Sequence, residues 1–425
     1  TIIHYFWRKQ FPPVYLNTHT YFSLRYGTCS PQALLELAQK NGVKRFVLTD
    51  INNTSACLSL LRQAPKYNCE PLLGVDFRNG VDQKFIAIAK NNAGFEEING
   101  FLSSILHLQK GTGLKLNGVP EMAPDFKQAF VIYPFRRGGK FTLKENEFIG
   151  VQSRDLDHIR LRGIDTSKAV IFHPCSFQSK RDFNAHRLLR AIDNNTLLSK
   201  LEIAEQGCPD DIMLPENDLL EKFQEFPEII KNTQYILDNC SIFFDFSDDA
   251  EPQNQKDYTD SAQEDKELLM KLSHDGLKYR YREAGDEIMA RIKKELDAIE
   301  QMGFISYFLI SWDIVSYARK KGFFYVGRGS GANSIISYLL RITDVDPVEL
   351  DLYFERFINL YRVNPPDFDI DFSWRDREDI TRYIFSRFKH VALVGTYITF
   401  QERAVRRELG KVFGLPKEEI DKLGR

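Results

Sequence analysis

The segment PPDFDIDF at 365–372 sets Asp367, Asp369 and Asp371 in alternation with Phe368, Ile370 and Phe372. On an extended strand, period two puts the three carboxylates on one face and the apolar side chains on the other. Aspartate is a poor strand former, so three on one face need a reason. Two hard divalent cations, roughly 3.5–4 Å apart and bridged by carboxylates on a rigid element, supply one. The plainer alternative is a solvated edge strand whose charges discourage edge pairing.

Upstream lies Gly327-Arg328-Gly329-Ser330-Gly331-Ala332, between the strand-like FFYV at 323–326 and the apolar, helix-like NSIISYLLRI at 333–342. Loop N–H groups and the start of the following helix can hold phosphate. The loop lacks the G-K-[ST] of a Walker A motif. It matches the relaxed dinucleotide pattern G-x-G-x-x-A, weak on its own. A nicotinamide site needs a second strand ending in an acid, whereas ITDVDPVELDLYFERF reads as a loop and a short helix. Arg328 also suits a triphosphate better than a pyrophosphate bridge, although the glycines alone would serve a tight turn. Together, a phosphate cradle and an acidic, metal-binding strand describe nucleotidyl transfer. Downstream, Arg375, Arg377, Arg382, Arg387, Lys389, Arg403, Arg406, Arg407 and Lys411 alternate with acids. They suit a solvated face about as well as a nucleic-acid contact.

Composition narrows the classes. The chain has 425 residues, 57 basic against 59 acidic, and a formal charge of −2. That excludes coating of nucleic acid by bulk charge but leaves room for a local basic groove. No apolar run approaches the roughly 18 residues of a membrane span, and no secretory core opens the sequence. The six cysteines, at 29, 57, 69, 175, 208 and 240, show no C-x-x-C spacing. Buried free thiols are expected, with neither a zinc site nor a disulfide framework.

The elements that must position these groups fall into two regions. Residues 15–193 alternate strand-like and helix-like runs. Strands are predicted at 15–22, 45–50, 71–77, 84–91, 129–134, 148–152 and 169–174, with helices at 31–41, 54–64, 93–108 and 182–192. This order predicts a mostly parallel sheet, open or closed into a barrel. Function then belongs at strand C-termini, where His19, Asp50, Asp76 and His173 stand. The acidic, aliphatic-poor stretch 246–267 reads as a linker. Beyond it, helices are predicted at 264–302 and 306–321, and no internal repeat is visible.

YVGRGSGANSIISYLLRITDVDPVELDLYFERFINLYRVNPPDFDIDF at 325–372 closely resembles the palm of the C-family bacterial replicative DNA polymerases, and 14–193 resemble the polymerase and histidinol phosphatase (PHP) domain that opens them. TYITFQERAVRRELGKVFGLP at 396–416 is similar to the start of their thumb. The resemblance implies an N-terminal extension (1–13), a PHP-type (β/α) barrel-like domain (14–245), a linker (246–267), a mixed α/β nucleotidyltransferase-type palm (268–400) and the start of a helical thumb (401–425). It implies template-directed addition of deoxynucleotides to a primer 3′-OH. Two Mg²⁺ ions would sit on Asp369 and Asp371, and Gly327, Arg328, Gly329, Ser330 and Gly331 would lie by the deoxynucleoside triphosphate. A third catalytic aspartate of the family lies beyond the thumb. The chain is therefore expected to be a fragment that does not extend primers alone. Primer–template DNA, a sliding clamp, a proofreading exonuclease subunit and clamp-loader subunits are the implied partners, in a bacterial cytoplasm and without a membrane.

The PHP metal site of the family departs from type here. Its opening H-x-H reads Asn17-Thr18-His19, and its next acid is Tyr26. The T-D-H histidine is Ile51 and the G-x-E acid is Asp76. A later histidine aligns on Lys84, and the final D-x-H pair on Pro174 and Ser176, with His173 one register off. His19 and Asp76 alone cannot hold a multi-metal cluster, so this domain is expected to be a metal-free scaffold and His173 a structural histidine. The alternatives are a PHP-type phosphoesterase or 3′–5′ exonuclease with metal at His19 and Asp76, and a non-enzymatic module for subunit docking.

Overall fold

The structure is a computed structural model that describes residues 15–107, 118–136, 142–247, 250, 255–358, 367–389 and 391–423. The extension at 1–13 and the prolines at 365 and 366 lie outside them. The chain divides into two compact units, one of residues up to Ala250 together with Ile398–Arg425, the other Glu251–Tyr397.

In the first unit the chain runs β1 (Tyr15–Thr18), α1 (Pro31–Lys40), β2 (Arg45–Leu48), α2 (Cys57–Gln63), β3 (Glu70–Asn79), β4 (Asp82–Ala89), α3 (Asn92–His107), β5 (Ala129–Pro134), β6 (Glu147–Val151), α4 (Leu156–Arg162), β7 (Ala169–Ile171), β8 (Pro174–Cys175), α5 (Lys180–Asp193), α6 (Glu216–Lys222) and α7 (Pro227–Asp238). The start of α1 shows how local chemistry sets the boundaries. Ser30 Oγ accepts from Ala33 N at 3.0 Å and Pro31 takes the first turn, where its missing N–H costs nothing.

The sheet order is β7-β6-β5-β4-β3-β2-β1-β8. Laid flat, eight strands would hold their edges roughly 33 Å apart, at about 4.8 Å per step. Yet β7 and β8 are joined through Phe172 and His173 alone, a reach of about 11 Å. The sheet must therefore curl into a barrel with its seam between β7 and β8. Leu16, Val47, Leu72, Ile86, Ile132, Phe148 and Val170, one from each of β1–β7, form a single buried apolar cluster. Period two carries the Leu72 face of β3 on through Gly74 to Asp76. The pairing is mostly parallel, as expected, but β3–β4 and β4–β5 are antiparallel. Only Gly80 and Val81 separate β3 from β4, and a two-residue link permits a hairpin but no parallel crossover.

The last two helices of the chain, over Glu402–Val412 and Lys417–Leu423, belong to this unit. Val412 is buried with Ala191 and Leu201, so the stretch expected to begin a thumb packs on α5. Five cysteines are buried and Cys208 is half-buried, all as free thiols.

The second unit contains α8 (Ala262–Arg280), α9 (Asp286–Gln301), α10 (Ile305–Lys321), β9 (Tyr325–Arg328), α11 (Ile335–Leu339), β10 (Asp369–Phe372) and α12 (Arg377–Arg387). The helices over Glu402–Val412 (α13) and Lys417–Leu423 (α14) belong to the first unit. The stretch expected as linker is structured before residue 267. Ser261 caps α8, and buried Asp265 accepts from Tyr258 N, Thr259 N and Thr259 Oγ1. An acid in the first helical turn satisfies backbone donors, so part of the acidic character read as a linker is capping chemistry. Leu269, Ile299, Phe308, Leu309, Ile335, Ile336, Leu339 and Phe357 make the core of the unit.

Candidate functional site

The acidic strand and the glycine loop come together. β9 and β10 pair antiparallel, with Asp369 opposite Arg328, Ile370 opposite Gly327 and Asp371 opposite Val326. Phe368, just before the strand, anchors it. Its ring meets those of Tyr307, Phe308 and Phe357, each with centroids 5.1 Å away. Tyr307 Oη accepts from Phe368 N at 2.9 Å. With Phe368 held inward, period two turns Asp369 and Asp371 to one shared face, where they are 44% and 58% exposed. Asp367 precedes the strand and is exposed, so the expected face of three aspartates holds two.

Arg328 bridges those two. Its Nε donates to Asp371 Oδ2 at 2.6 Å and its Nη1 to Asp369 Oδ2 at 3.3 Å. The bond to Asp371, then the charges of both carboxylates, raise its pKa further. A guanidinium between two exposed carboxylates is a stand-in ion: the site is built for positive charge. Two carboxylates with waters and substrate phosphates are a usual ligand set for Mg²⁺, so the residues fit a hard cation. Among the described residues there is no cluster of three or more His, Cys, Asp or Glu suited to a metal.

The glycines have separate jobs. Gly327 lies in β9, and a Cβ there would come within 2.0 Å of Ile342 O. Gly329 has φ +74°, and a Cβ would come within 2.4 Å of Asp369 Oδ2. At Gly331 a Cβ would strike the Phe368 ring at 2.8 Å. The loop Gly329–Asn333 is a 3-10 turn. The expectation that the next helix offers its N-terminus to phosphate needs correcting. α11 is only five residues long, Ser334 Oγ takes Ser337 N, and buried Glu295 takes Ile336 N through Oε2 at 3.3 Å. Glu295 Oε2 also accepts from Ser334 Oγ at 2.8 Å. Arg291 binds Glu295 Oε1 and donates to the Asn333 and Leu352 carbonyls. Glu295 and Arg291 thus hold the loop from behind. Their i, i+4 spacing on α9 is visible in the sequence, but their burial is not. Asp313 is another residue that the sequence reading missed. It takes Tyr258 Oη at 2.7 Å and Arg387 Nε at 3.0 Å, and Tyr383 Oη binds it as well. It ties α12, which follows the acidic strand, to α10.

The barrel holds the other predicted group. His19 is fully buried. Its Nε2–H donates to Asp76 Oδ2 at 3.1 Å, and its Nδ1 lies 2.8 Å from Ser176 Oγ. Arg78, absent from the sequence reading, donates to the same Asp76 oxygen from Nε at 2.9 Å and Nη2 at 2.6 Å, and Gln83 does so at 2.6 Å. Burial pushes the Asp76 pKa up, but the Arg78 charge and the bonds from His19 and Arg78 overrule it and hold the carboxyl below its usual range. A bulge places Gln83 there: Phe77 pairs with Phe85 and Arg78 with Gln83, skipping Lys84. Lys84 turns instead to Asp82 and Glu121.

Tyr26 packs its ring 5.9 Å from that of His19 and under Arg78 at 5.0 Å. Asn17 accepts from Thr49 Oγ1 at 3.0 Å, and Ile51 bridges to the backbone of Asp76. Pro174 lies in β8, and His173 Nε2–H donates to the Ile212 carbonyl at 2.9 Å, a structural histidine. Asp50 serves the 20–23 turn, accepting from Thr20 and Ser23. The structure therefore gathers His19, Asp76, Ser176 and Tyr26 and puts an arginine among them. These residues do not fit a metal cluster. Asp76 is the one carboxylate among the four, and its Oδ2 already takes four donor atoms.

The barrel and the carboxylate-bearing hairpin together define a chain in which a PHP-like domain precedes a nucleotidyltransferase-type domain. Residues 16–129 match the PHP domain family and 267–425 match the bacterial DNA polymerase III alpha NTPase domain. An error-prone DNA polymerase of Symbiobacterium thermophilum is 29% identical, over 97% of this chain and 42% of that protein. The DNA polymerase III alpha subunits of Bacillus subtilis and Escherichia coli are 26% and 25% identical, each over 97% of this chain and 39% of the relative. The chain is similar to the bacterial DNA polymerase III alpha subunits, and it spans about two fifths of the length of the curated relatives it matches. Among the described residues, no helix is long and apolar enough to cross a membrane.

Proposed function

We propose that the chain supplies the PHP and palm portions of a DNA-directed DNA polymerase. The observation that carries this reading is the hairpin: Asp369 and Asp371 share one exposed face, beside a glycine turn that a side chain would disrupt. Asp369 and Asp371 would hold divalent cations, Mg²⁺ in the cell. Bound there, the cations supply charge stabilisation and activate the attacking hydroxyl. Arg328 and the leading N–H groups of the 329–333 turn would orient the triphosphate, with Ser330 beside it. Phe368 fixes the strand, and Glu295 and Arg291 fix the turn. Primer–template DNA is the substrate partner in this reading. A sliding clamp, a proofreading exonuclease subunit and clamp-loader subunits are partners by kinship.

The barrel is proposed as a scaffold. Arg78 on Asp76 argues against the phosphoesterase or exonuclease alternative, and leaves the barrel free to serve as a docking module. A crystal soaked with Mn²⁺ and a deoxynucleoside triphosphate tests both halves. The reading expects anomalous density between Asp369 and Asp371 with phosphates on 327–331. Density beside His19 and Asp76 would overturn it in favour of the phosphoesterase.

A further inference from the structure

Arg328 and a divalent cation need the same oxygens. Arg328 Nε already holds Asp371 Oδ2 at 2.6 Å, and Nη1 reaches Asp369 Oδ2 at 3.3 Å. The strand register sets this up, since Arg328 stands directly opposite Asp369 and diagonal to Asp371. A guanidinium and a doubly charged cation cannot both occupy that gap, because like charges a few ångströms apart repel strongly. All three side chains are solvent-exposed, Arg328 by 58%, so the ion pair is open to exchange. A triphosphate offers the arginine fork a more highly charged partner with matching geometry.

We propose that Arg328 is the built-in counter-ion of Asp369 and Asp371, that it holds the cation site until an anionic polyphosphate draws it away, and that cation and polyphosphate therefore bind cooperatively. The proposal rests on the polymerase reading of this hairpin and adds a direction to it. Arg328 opposes the cation before the polyphosphate arrives and favours the polyphosphate when it does. Because coupling between two ligands is reciprocal, each should ease entry of the other.

The test is binding, not turnover. Mn²⁺ alone is titrated into this chain, with free Mn²⁺ read by electron paramagnetic resonance. Inorganic tripolyphosphate is titrated separately in metal-free buffer by calorimetry. Wild type, Arg328→Gln, Arg328→Lys and Asp371→Asn are compared. The expected signature is a pair of opposite shifts. Arg328→Gln binds Mn²⁺ about fivefold more tightly or better and tripolyphosphate about fivefold more weakly. Arg328→Lys falls between, and Asp371→Asn loses Mn²⁺. Equal Mn²⁺ affinity in wild type and Arg328→Gln, with loss in Asp371→Asn, would overturn the counter-ion role and leave the metal site standing. Weakening of both ligands by Arg328→Gln would make Arg328 an ordinary structural residue and also overturn it. Mn²⁺ binding indifferent to Asp371→Asn, or absent from every protein, would overturn the metal reading itself and the proposal with it.

Discussion

In the barrel, Arg78 meets Asp76 with both groups out of water, at 7% and 0% exposure. On the hairpin, Arg328 meets Asp369 and Asp371 with all three side chains wetted. The chemistry is the same, an arginine fork on carboxylate, and its consequences differ because the surroundings do. Buried charges have lost their hydration, so neither partner can leave without stranding the other. Exposed charges trade partners with water and ions at little cost. The first arrangement locks a site in one state, while the second keeps it available. On the reading proposed above, that contrast would let one chain hold two acidic sites of related appearance, with only one of them open to a cation.

The largest effect should separate the two sites by activity. In a polymerase of the relatives' full length carrying this sequence, Asp369→Asn or Asp371→Asn should lower nucleotide incorporation on the order of a thousandfold. His19→Gln should leave the incorporation rate constant unchanged. A comparable loss from His19→Gln, measured on folded protein, would erase the distinction between working and silent site.

Stability should separate them in the opposite sense. Arg78→Met leaves the Asp76 carboxylate buried without its main partner, and breaking such a pair costs about 3–5 kcal/mol. The chain's thermal midpoint should fall by several degrees, and Asp76→Asn added to Arg78→Met should recover part of the loss. Arg328→Gln should leave the midpoint where it is. Equal behaviour of the two arginines in thermal unfolding would refute the locked-versus-available comparison.

Much of this was legible beforehand, for reasons of periodicity. The strands at 129–134 and the capped start at Ser30 follow from local rules, and D-x-D alternation put Asp369 and Asp371 on one face correctly. Asp367 was misjudged because the strand begins only at Asp369. The parallel reading of 71–91 missed the Asn79-Gly80 turn signal, which a hairpin rule would have caught. Arg78 was within reach too, since Asp76-x-Arg78 shares a strand face. Gln83 was not, because it enters the cluster through a bulge, and bulges depend on the partner strand. Glu295 and Asp313 look like ordinary helix-surface acids in the sequence. Only the packing of α9 and α10 shows that they brace the site.

Acid sensitivity comes next in size and belongs to the barrel. His186 Nδ1–H donates to Tyr26 O at 2.7 Å, and its Nε2 accepts from Gly207 N at 2.9 Å, which fixes a neutral ring. Burial pushes its pKa down to about 4. The unfolded chain takes up this proton near pH 6.5, so the stabilising contribution is complete above that pH and is lost as pH falls toward 4. The loss amounts to about 3 kcal/mol when complete. Asp211 works the other way. Burial raises it to about 6, so its folded form gains a proton before the unfolded one and stability rises as pH falls through the same window. Unfolding of the chain from pH 7 to 4 should therefore be shallow in wild type, steeper in Asp211→Asn, and reversed in slope in His186→Gln. A wild-type slope unchanged by either variant would remove these two groups from the account.

The smallest predicted effect tests how finely the available site is shaped. Gly329 has φ +74°, where an alanine is strained, and its added Cβ would fall 2.4 Å from Asp369 Oδ2. Either the turn or the carboxylate must give. The turn is braced by Phe368 beneath Gly331 and by Arg291 on the Asn333 carbonyl, whereas the Asp369 side chain is 44% exposed and can rotate. Gly329→Ala should therefore cost only about 1 kcal/mol of stability while weakening Mn²⁺ binding severalfold through the displaced carboxylate. An alanine that destabilises the chain but leaves Mn²⁺ affinity intact would mean that the turn yields and Asp369 stays. The glycine would then serve the backbone alone, and the hairpin would be less finely fitted to a cation than its two carboxylates suggest.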